Sequence, residues 1–488
     1  MTESYVLTLK LNTSPEQDQW LAHVFWCGQQ IYNVLVRHCR KQLRKLILDP
    51  EYRELLATRR KDNLSKKDKN RINQGLADIR RGYGLSEYQL HAYISVQQHR
   101  YQKYIDSMTA QKIASSVWRS VEKYLFDNGK CIHFRKYDDF DSLEGKSNTS
   151  GMRFKDGRLH WHWQVIQPQI RTDYDREALR SRVKYCRIRR KPMGTKYHYY
   201  LQLILEGRPP VKHSAGHGTA GLDIGTSTAA VVTEDSCLLT VLGSDAKDCS
   251  SQIRRIQRAM DRSMCATNPG NFLPDGTVRK GAQKWIRSKH YKRLQFRKKS
   301  LERRNADAVN ASHHRLANEI ASKADTVYVE KMFFHGLARR SKSATKKADG
   351  RFRSRKRFGK SIGNHAPAAF LKILESRLAS SGGELIKIDT VSFRASQYNH
   401  VTDDYVRKKL SCRGSFIGSH YVQRDLYSAF LLKNSNDTGT AADRQKCIYT
   451  FPMFLITHDA CMDIFLAENK KYPSSFGLRS YERYKCNC

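Results

Sequence analysis

Apolar and polar positions alternate from Tyr5 to Leu11 (Tyr-Val-Leu-Thr-Leu-Lys-Leu), which predicts a β-strand. Asn12-Thr-Ser-Pro follows, with Ser14 as a helix N-cap and Pro15 at the first helical position. Leu21, Phe25, Tyr32, Leu35 and Cys39 then recur at helical spacing. Residues 41–81 are charge-dense and poor in apolar side chains, an exposed helical pair or a mobile insert. Helical periodicity returns over 85–126, where Ala110, Ile113, Ala114, Val117, Trp118, Val121 and Leu125 share a face. Residues 15–127 thus read as a helical domain inserted after the first strand, 1–14.

From Lys130 the period changes to two. Ile132-His-Phe-Arg, Met152-Arg-Phe, Leu159-His-Trp-His-Trp, Val183-Lys-Tyr-Cys-Arg-Ile and Tyr197–Leu205 read as short strands, with turns at Lys155-Asp-Gly157 and Pro192-Met-Gly194. Together with Tyr5–Leu11 they predict a small β-barrel over 128–215. Basic and aromatic residues interleave along it, a surface suited to RNA backbone contact and base stacking. Trp161 and Trp163 fall on one strand face, where core packing explains them equally well.

Pro209-Pro210 and Gly216-His-Gly218 mark a linker. Beyond it, Ala220-Gly-Leu-Asp-Ile-Gly reads as a buried strand carrying one carboxylate, Asp223, with a second apolar strand at Ala229–Val232. Helices are expected over 250–264 and 283–323, the second long and basic. Thr326–Met332 is another buried strand with one acid, Glu330. Residues 339–360 form a basic loop, and Arg339, Arg340, Lys342, Arg351, Arg353, Arg355, Lys356, Arg357 and Lys360 are its candidate phosphate contacts. A helix over 366–380, a strand over 384–389 and a late helix bearing Asp425 complete the pattern.

Composition narrows the partners. A chain of 488 residues exceeds one core and implies two to four domains. Lys and Arg number 88 against 47 Asp and Glu, a net charge of +41 that opposes compaction and calls for a polyanion. No apolar run approaches the roughly 20 residues of a membrane span and no signal-peptide core is written, so no membrane partner is expected and the compartment is read as cytoplasmic. Twelve scattered cysteines read as free thiols, and no C-x-x-C pair is written.

An acid on an apolar strand is costly to bury unless it is paired or holds a metal. Asp223, Glu330 and Asp425 are three such acids on separate elements. Carboxylates suit Mg²⁺, and two such ions can act on either side of a phosphodiester.

Gly221-Leu-Asp-Ile-Gly, Val327-Tyr-Val-Glu-Lys-Met and Gln423-Arg-Asp-Leu-Tyr-Ser-Ala resemble the three RuvC motifs of the TnpB family, transposon-encoded RNA-guided nucleases from which the compact type V CRISPR effectors derive. The resemblance covers most of the chain. It implies a multidomain α+β fold: a helical recognition lobe inserted in a β-barrel wedge domain, then an RNase H-like (RuvC) α/β nuclease domain. On that reading the nuclease occupies 216–393, an insert 394–420, and the third motif and tail 421–488. The resemblance implies that Asp223, Glu330 and Asp425 hold Mg²⁺, two ions in the usual arrangement. It implies a guide RNA (transposon-derived, or a CRISPR RNA with or without a second activating RNA) and double-stranded target DNA beside a short flanking motif. Family members usually carry a four-cysteine zinc ribbon in the insert. Here Tyr398 stands where the first ligand is expected and only His400 and Cys412 could be remnants, so zinc is not expected.

Asp223-Ile-Gly-Thr-Ser also fits the first phosphate loop of actin-like and sugar-kinase ATPases, but no second glycine-rich phosphate loop follows, and that reading leaves the charge unexplained. A guided DNA-binding protein with a silent nuclease is the main alternative. A junction resolvase would not need the insert and barrel, and guided cleavage does not by itself join strands as a transposase must.

Overall fold

The alternating N-terminal stretch is strand β1 (Ser4–Asn12) in the computed structural model, which describes residues 3–486 apart from 61–64, 127–128, 195, 211–215, 347–349, 352–354, 356–357, 410 and 469. The chain divides into two compact units, Met1–Pro210 and Val211–Cys488.

In the first unit, Ser14 caps the 34-residue α1 (Pro15–Leu48), its hydroxyl accepting from the Gln17 N–H while the Gln17 side chain accepts from the Ser14 N–H. Leu21, Phe25, Tyr32, Leu35 and Cys39 are all buried along it. The charge-dense stretch forms the paired helices α2 (Pro50–Arg59) and α3 (Lys66–Gly82). Helices α4 (Glu87–Gln98) and α5 (Ser107–Phe126) follow. Then come β2 (Ser142–Glu144), β3 (Arg153–Lys155), β4 (Arg158–Trp161), β5 (Gln164–Pro168), the short α6 (Asp173–Ala178), β6 (Val183–Met193) and β7 (Lys196–Glu206).

These strands make one antiparallel sheet of seven in the order β2-β6-β7-β1-β5-β4-β3, so β1 lies between strands that follow it by more than 150 residues. The expected barrel does not close through its ladder, because β2 and β3 are three-residue edge strands without room to pair. A side chain spans the gap instead: Asn148 accepts from the Phe154 N–H at 2.7 Å and donates to its carbonyl at 3.0 Å. Two further expectations fail. Ile132–Arg135 is not a strand; its backbone is held by side chains of α1, with Gln29 and Asn33 both donating to the Arg135 carbonyl. Trp161 and Trp163 do not share a face, because β4 ends at Trp161 and a tight turn with His162 at φ 51° carries Trp163 outward.

Among the described residues Arg190 is the most buried cation of this unit, with 1% exposure, and no carboxylate among them pairs with it. Its guanidinium lies 4.6 Å from the Phe25 ring, 4.0 Å from Tyr137 and 4.4 Å from Tyr197, and it donates to the Phe140 and Tyr137 carbonyls. Ring faces and carbonyl oxygens replace the lost water.

The second unit opens with β8 (Thr219–Ile224), β9 (Thr228–Val232) and β10 (Cys237–Val241). Helices α7 (Ser250–Thr267) and α8 (Lys289–Ala321) precede β11 (Thr326–Glu330); α9 (Phe334–Ala338), α10 (Gly359–His365) and α11 (Pro367–Ser380) precede β12 (Glu384–Ile388). The five strands are ordered β10-β9-β8-β11-β12, with β8, β11 and β12 mutually parallel and β9 antiparallel to both its neighbours, β8 and β10. The short α12 (Thr390–Phe393) leads into two hairpins, β13 (Tyr398–Asn399) with β14 (Asp404–Tyr405) and β15 (Gly414–Ile417) with β16 (His420–Gln423). Helices α13 (Arg424–Lys433), α14 (Arg444–Ala467) and α15 (Leu478–Cys486) close the chain.

Each sheet face has its own core. Ala220, Leu222, Ile224, Val327 and Val329 pack with α8 and α11. Opposite them, Ala230, Val232 and Tyr328 pack with α13, α14 and α15. Helix α14 is the exception to the expected absence of long apolar runs: over 24 residues it has the length and apolarity of a membrane span. It nonetheless packs through Phe454, His458, Cys461 and Met462 into the second core, and carries Asp459 and Asp463 in its second half. Such charges argue for a core-flanking helix.

The tightest junction is between β8 and α13. A Cβ on Gly221 would lie 1.8 Å from the Ala429 carbonyl oxygen and 2.5 Å from the Lys433 nitrogen, so only glycine allows this approach. Gly221→Ala is therefore expected to cost about 3 kcal/mol or more, read from the urea midpoint of the full chain. A shift within 0.5 kcal/mol (about the scatter of surface substitutions) would contradict the packing.

Candidate functional site

Strand periodicity sets the site. On β8, Ala220, Leu222 and Ile224 face the α8–α11 core, so Gly221 and Asp223 face α13. Parallel β11 pairs Val329 with Leu222, and its own alternation turns Tyr328 and Glu330 to the same side. On α13, Asp425, Ala429 and Lys433 stand four residues apart on one face. Ala429 lies against Gly221, and Lys433 donates at 2.7 Å to Glu234, which also accepts from Thr219 at the start of β8. The helix thus runs antiparallel to β8 and brings Asp425 toward Asp223.

The three acids feel one another. Burial holds Asp223 well above the ordinary carboxylate range, and the negative charges of Asp425 and Glu330 raise it further against an opposing pull from Arg424. Burial likewise raises Glu330, with the Ala395 N–H and Arg424 opposing, and raises Asp425, with Arg424, Arg413 and Gln423 opposing. As they stand, no three His, Cys, Asp or Glu side chains among the described residues have the mutual spacing to hold a metal ion. The chemistry of the donor set still fits a hard divalent cation: three oxygen donors carry repelling charge that the protein compensates only in part.

Sequence reasoning missed the cations around these acids. Arg424 follows β16 directly, and its Nε and Nη1 are buried without a hydrogen-bond partner. Arg413 and Lys408 come from the 394–420 segment; Lys408 donates to Ser415 at 2.9 Å, and burial, then Arg424, lowers its pKa. Arg424 was visible beside Asp425 in the sequence; Arg413 and Lys408 reach the site only through the hairpins.

The start of α13 is pinned from α14. The Gln423 N–H donates to His458 Nε2 at 2.9 Å, which puts the imidazole proton on Nδ1, within 2.8 Å of Asp459 Oδ1. Tyr481 also donates to Asp459, at 3.0 Å. The Gln423 side chain accepts from the Leu426 N–H as N-cap.

The other candidates are placed as follows. Arg339, Arg340, Lys342, Arg351 and Lys360 are exposed, whereas Arg353, Lys356 and Arg357 lie outside the described residues. Arg355 differs from the expectation of a phosphate contact, since its guanidinium donates to the Ser341 and Lys342 carbonyls at 2.9 and 3.0 Å and closes the loop on itself. His400 is buried, with Nδ1 2.8 Å from the Tyr427 hydroxyl, and burial followed by Arg444 lowers its pKa to about 4. Cys412 is exposed. Tyr398 bonds Asp403 at 2.8 Å and packs on Tyr405 across its hairpin.

No family model matches the chain, and no curated protein does. Among solved structures it is similar to the Cas12f1–sgRNA–target DNA complex, at 13% identity and a TM-score of 0.39, over 90% of this chain and 99% of that one. It is also similar to a CRISPR–Cas12f ternary complex, at 13% identity and 0.27 over 85% and 82%, and to a Cas12i–crRNA–dsDNA complex, at 10% and 0.23 over 87% and 66%. Scores of this size do not establish a shared fold.

The raised carboxylates give a stability test. A raised folded-state pKa means the folded chain binds protons more tightly, so the stability these groups contribute is present at low pH and lost as pH rises through the raised value. In EDTA, Asp223→Asn removes one repelling charge and is expected to raise Tm at about pH 8, with the gain shrinking as pH falls and vanishing below about pH 3, where the carboxyls are protonated in both states. An equal Tm difference at both pH values would contradict the repulsion.

Proposed function

We propose that this protein is an RNA-guided DNA endonuclease with one RuvC-type active site. The observation that carries the reading is the meeting of Asp223, Glu330 and Asp425, from two parallel strands and a late helix, on one face of a sheet ordered β10-β9-β8-β11-β12. That strand order supports the RNase H-like arrangement the resemblance implies, and the three local sequences are those that resemble the RuvC motifs of TnpB proteins. The net charge of +41 supports polyanion partners, a guide RNA and double-stranded target DNA.

On this reading the three carboxylates would hold Mg²⁺, which when bound supplies an activated water and neutralises phosphate charge. The chain's own groups do the rest. Gly221 and the Lys433–Glu234 pair fix the height of α13 on the sheet, and with it Asp425. Arg424, whose Nε and Nη1 are buried without a partner, sets positive charge beside the acids, and Arg413 and Lys408 add to it. The exposed cations of the basic loop suit contacts to nucleic-acid backbone.

A guided DNA-binding protein with a silent nuclease is the second reading, favoured by the open spacing of the acids. One set of measurements separates the two. The protein is purified with its co-expressed RNA, the RNA is sequenced, and the complex is given the matching DNA with Mg²⁺. A discrete RNA with a fixed scaffold and a variable end of about 20 nucleotides is expected, with cleavage that Asp223→Ala abolishes while DNA binding holds within a few-fold. Guided binding without cleavage by the unmutated chain would establish the silent reading, and absence of a discrete RNA would sink both. Guide affinity is also expected to fall steeply with salt, and a flat response would contradict phosphate neutralisation.

A further inference from the structure

The first unit exposes a continuous run of aromatic rings where α1, the 99–106 turn and the β4–β5 hairpin meet. His23 stacks on Trp26 at 5.3 Å and meets Tyr104 edge-on at 4.3 Å. Tyr101 extends the run beyond Trp26 at 6.1 Å, and Tyr104 leads to Trp163 at 6.4 Å. Trp26 is 42% exposed and Trp163 55%, so neither ring is core filling. Single exposed aromatics are ordinary, but a contiguous run of them marks a contact surface.

The run is built rigid from behind. Buried Trp20 meets Trp163 at 5.9 Å and Trp161 at 5.4 Å, both edge to face. Trp161 in turn donates its indole N–H to Asp106 at 2.8 Å. Gln17 ties α1 to the hairpin by donating to the Val165 carbonyl at 3.1 Å. Rings held this way lose little freedom when a flat ligand settles on them.

Charge selects the ligand. Lys103 lies 6.0 Å from both the Tyr104 and Trp163 rings. Asp106, the nearest acid, is occupied by Trp161, the Thr109 N–H and the Thr109 hydroxyl. The occupant must therefore bring π faces together with negative charge, on a chain whose +41 repels basic partners and further copies of itself. Unpaired nucleobases satisfy both needs. RNA displays them ready-splayed in loops and ends, whereas duplex DNA keeps its bases stacked inside.

We propose that the surface formed by Trp26, His23, Tyr104 and Trp163, with Lys103 beside it, is a stacking platform for the unpaired bases of single-stranded RNA. The proposal deepens the RNA-binding half of the function proposed above and rests on it, yet its test needs neither a guide nor cleavage.

RNA-free, full-length protein is titrated with a short oligouridylate, in salt high enough to weaken phosphate contacts, while tryptophan emission is followed. Quenching is expected, and Trp26→Ala and Trp163→Ala should each weaken binding by about 5- to 100-fold. The double Trp26→Phe, Trp163→Phe variant keeps flat rings and should bind within a few-fold while losing the quench. That variant guards against an alanine variant that merely misfolds. No quenching in the unmutated chain, or unchanged affinity in both alanine variants, overturns the platform. Tighter binding of oligo(dT) than of oligouridylate would assign the surface to DNA and overturn the RNA assignment. A change of association state in Trp163→Ala with oligouridylate affinity intact would make it a protein interface instead. Failure of guided cleavage with this quench intact would count against the nuclease reading alone.

Discussion

Helix α13 lies on β8 with no side chain between them at Gly221, where the Ala429 carbonyl comes closer than any Cβ would permit. That contact sets the geometry of the whole second unit. It fixes where the first turn of α13 stands, and therefore how near Asp425 comes to Asp223 and Glu330. Three carboxylates brought together in this way oppose the folding that unites them. The apolar burial of Leu426, Phe430 and Leu431 beside them, and the Lys433–Glu234 pair, supply the force that holds the helix down. Arg424 and Arg413 offset part of the repulsion.

Much of this was legible in the sequence, and the reasons are local. The apolar runs around Asp223 and Glu330 gave both strands, each carrying one acid, while the face each acid takes emerged only from the packed sheet. Ser14-Pro15 marked the start of α1 because a hydroxyl cap and a fixed φ act within four residues. The failures came where partners are remote. Ile132–Arg135 has the composition of a strand, but its carbonyl partners are amides on α1 about a hundred residues earlier. The barrel closure depends on Asn148, one polar residue in a loop. Trp163 left its apparent face because the two-residue turn at His162 breaks the alternation. Arg413 and Lys408 could not be assigned to the site without knowing how the hairpins fold back.

The two units solve the problem of excess positive charge differently. Arg190 in the first is taken out of water entirely, and rings and carbonyls take the place of an acid. In the second, the cations near the acids are kept close to charges of the opposite sign yet short of full pairing, and Arg424 retains two unspent donors. Neither is fully satisfied by hydrogen bonds: Arg190 Nη1 is buried without a partner, as are Arg424 Nε and Nη1.

The thiols carry a practical consequence. Burial pushes Cys27 and Cys461 up to about 11 and Cys39, Cys186, Cys237 and Cys447 up to about 12, so at neutral pH these sulfurs stay protonated and inert. Cys131, Cys265, Cys412 and Cys486 are exposed. Oxidation in storage will therefore join molecules at their surfaces and leave their interiors intact. The same division offers reporter chemistry: with Cys131, Cys249, Cys265, Cys486 and Cys488 changed to serine, a maleimide dye would settle on Cys412, beside the hairpins that reach the acids, without touching a core cysteine.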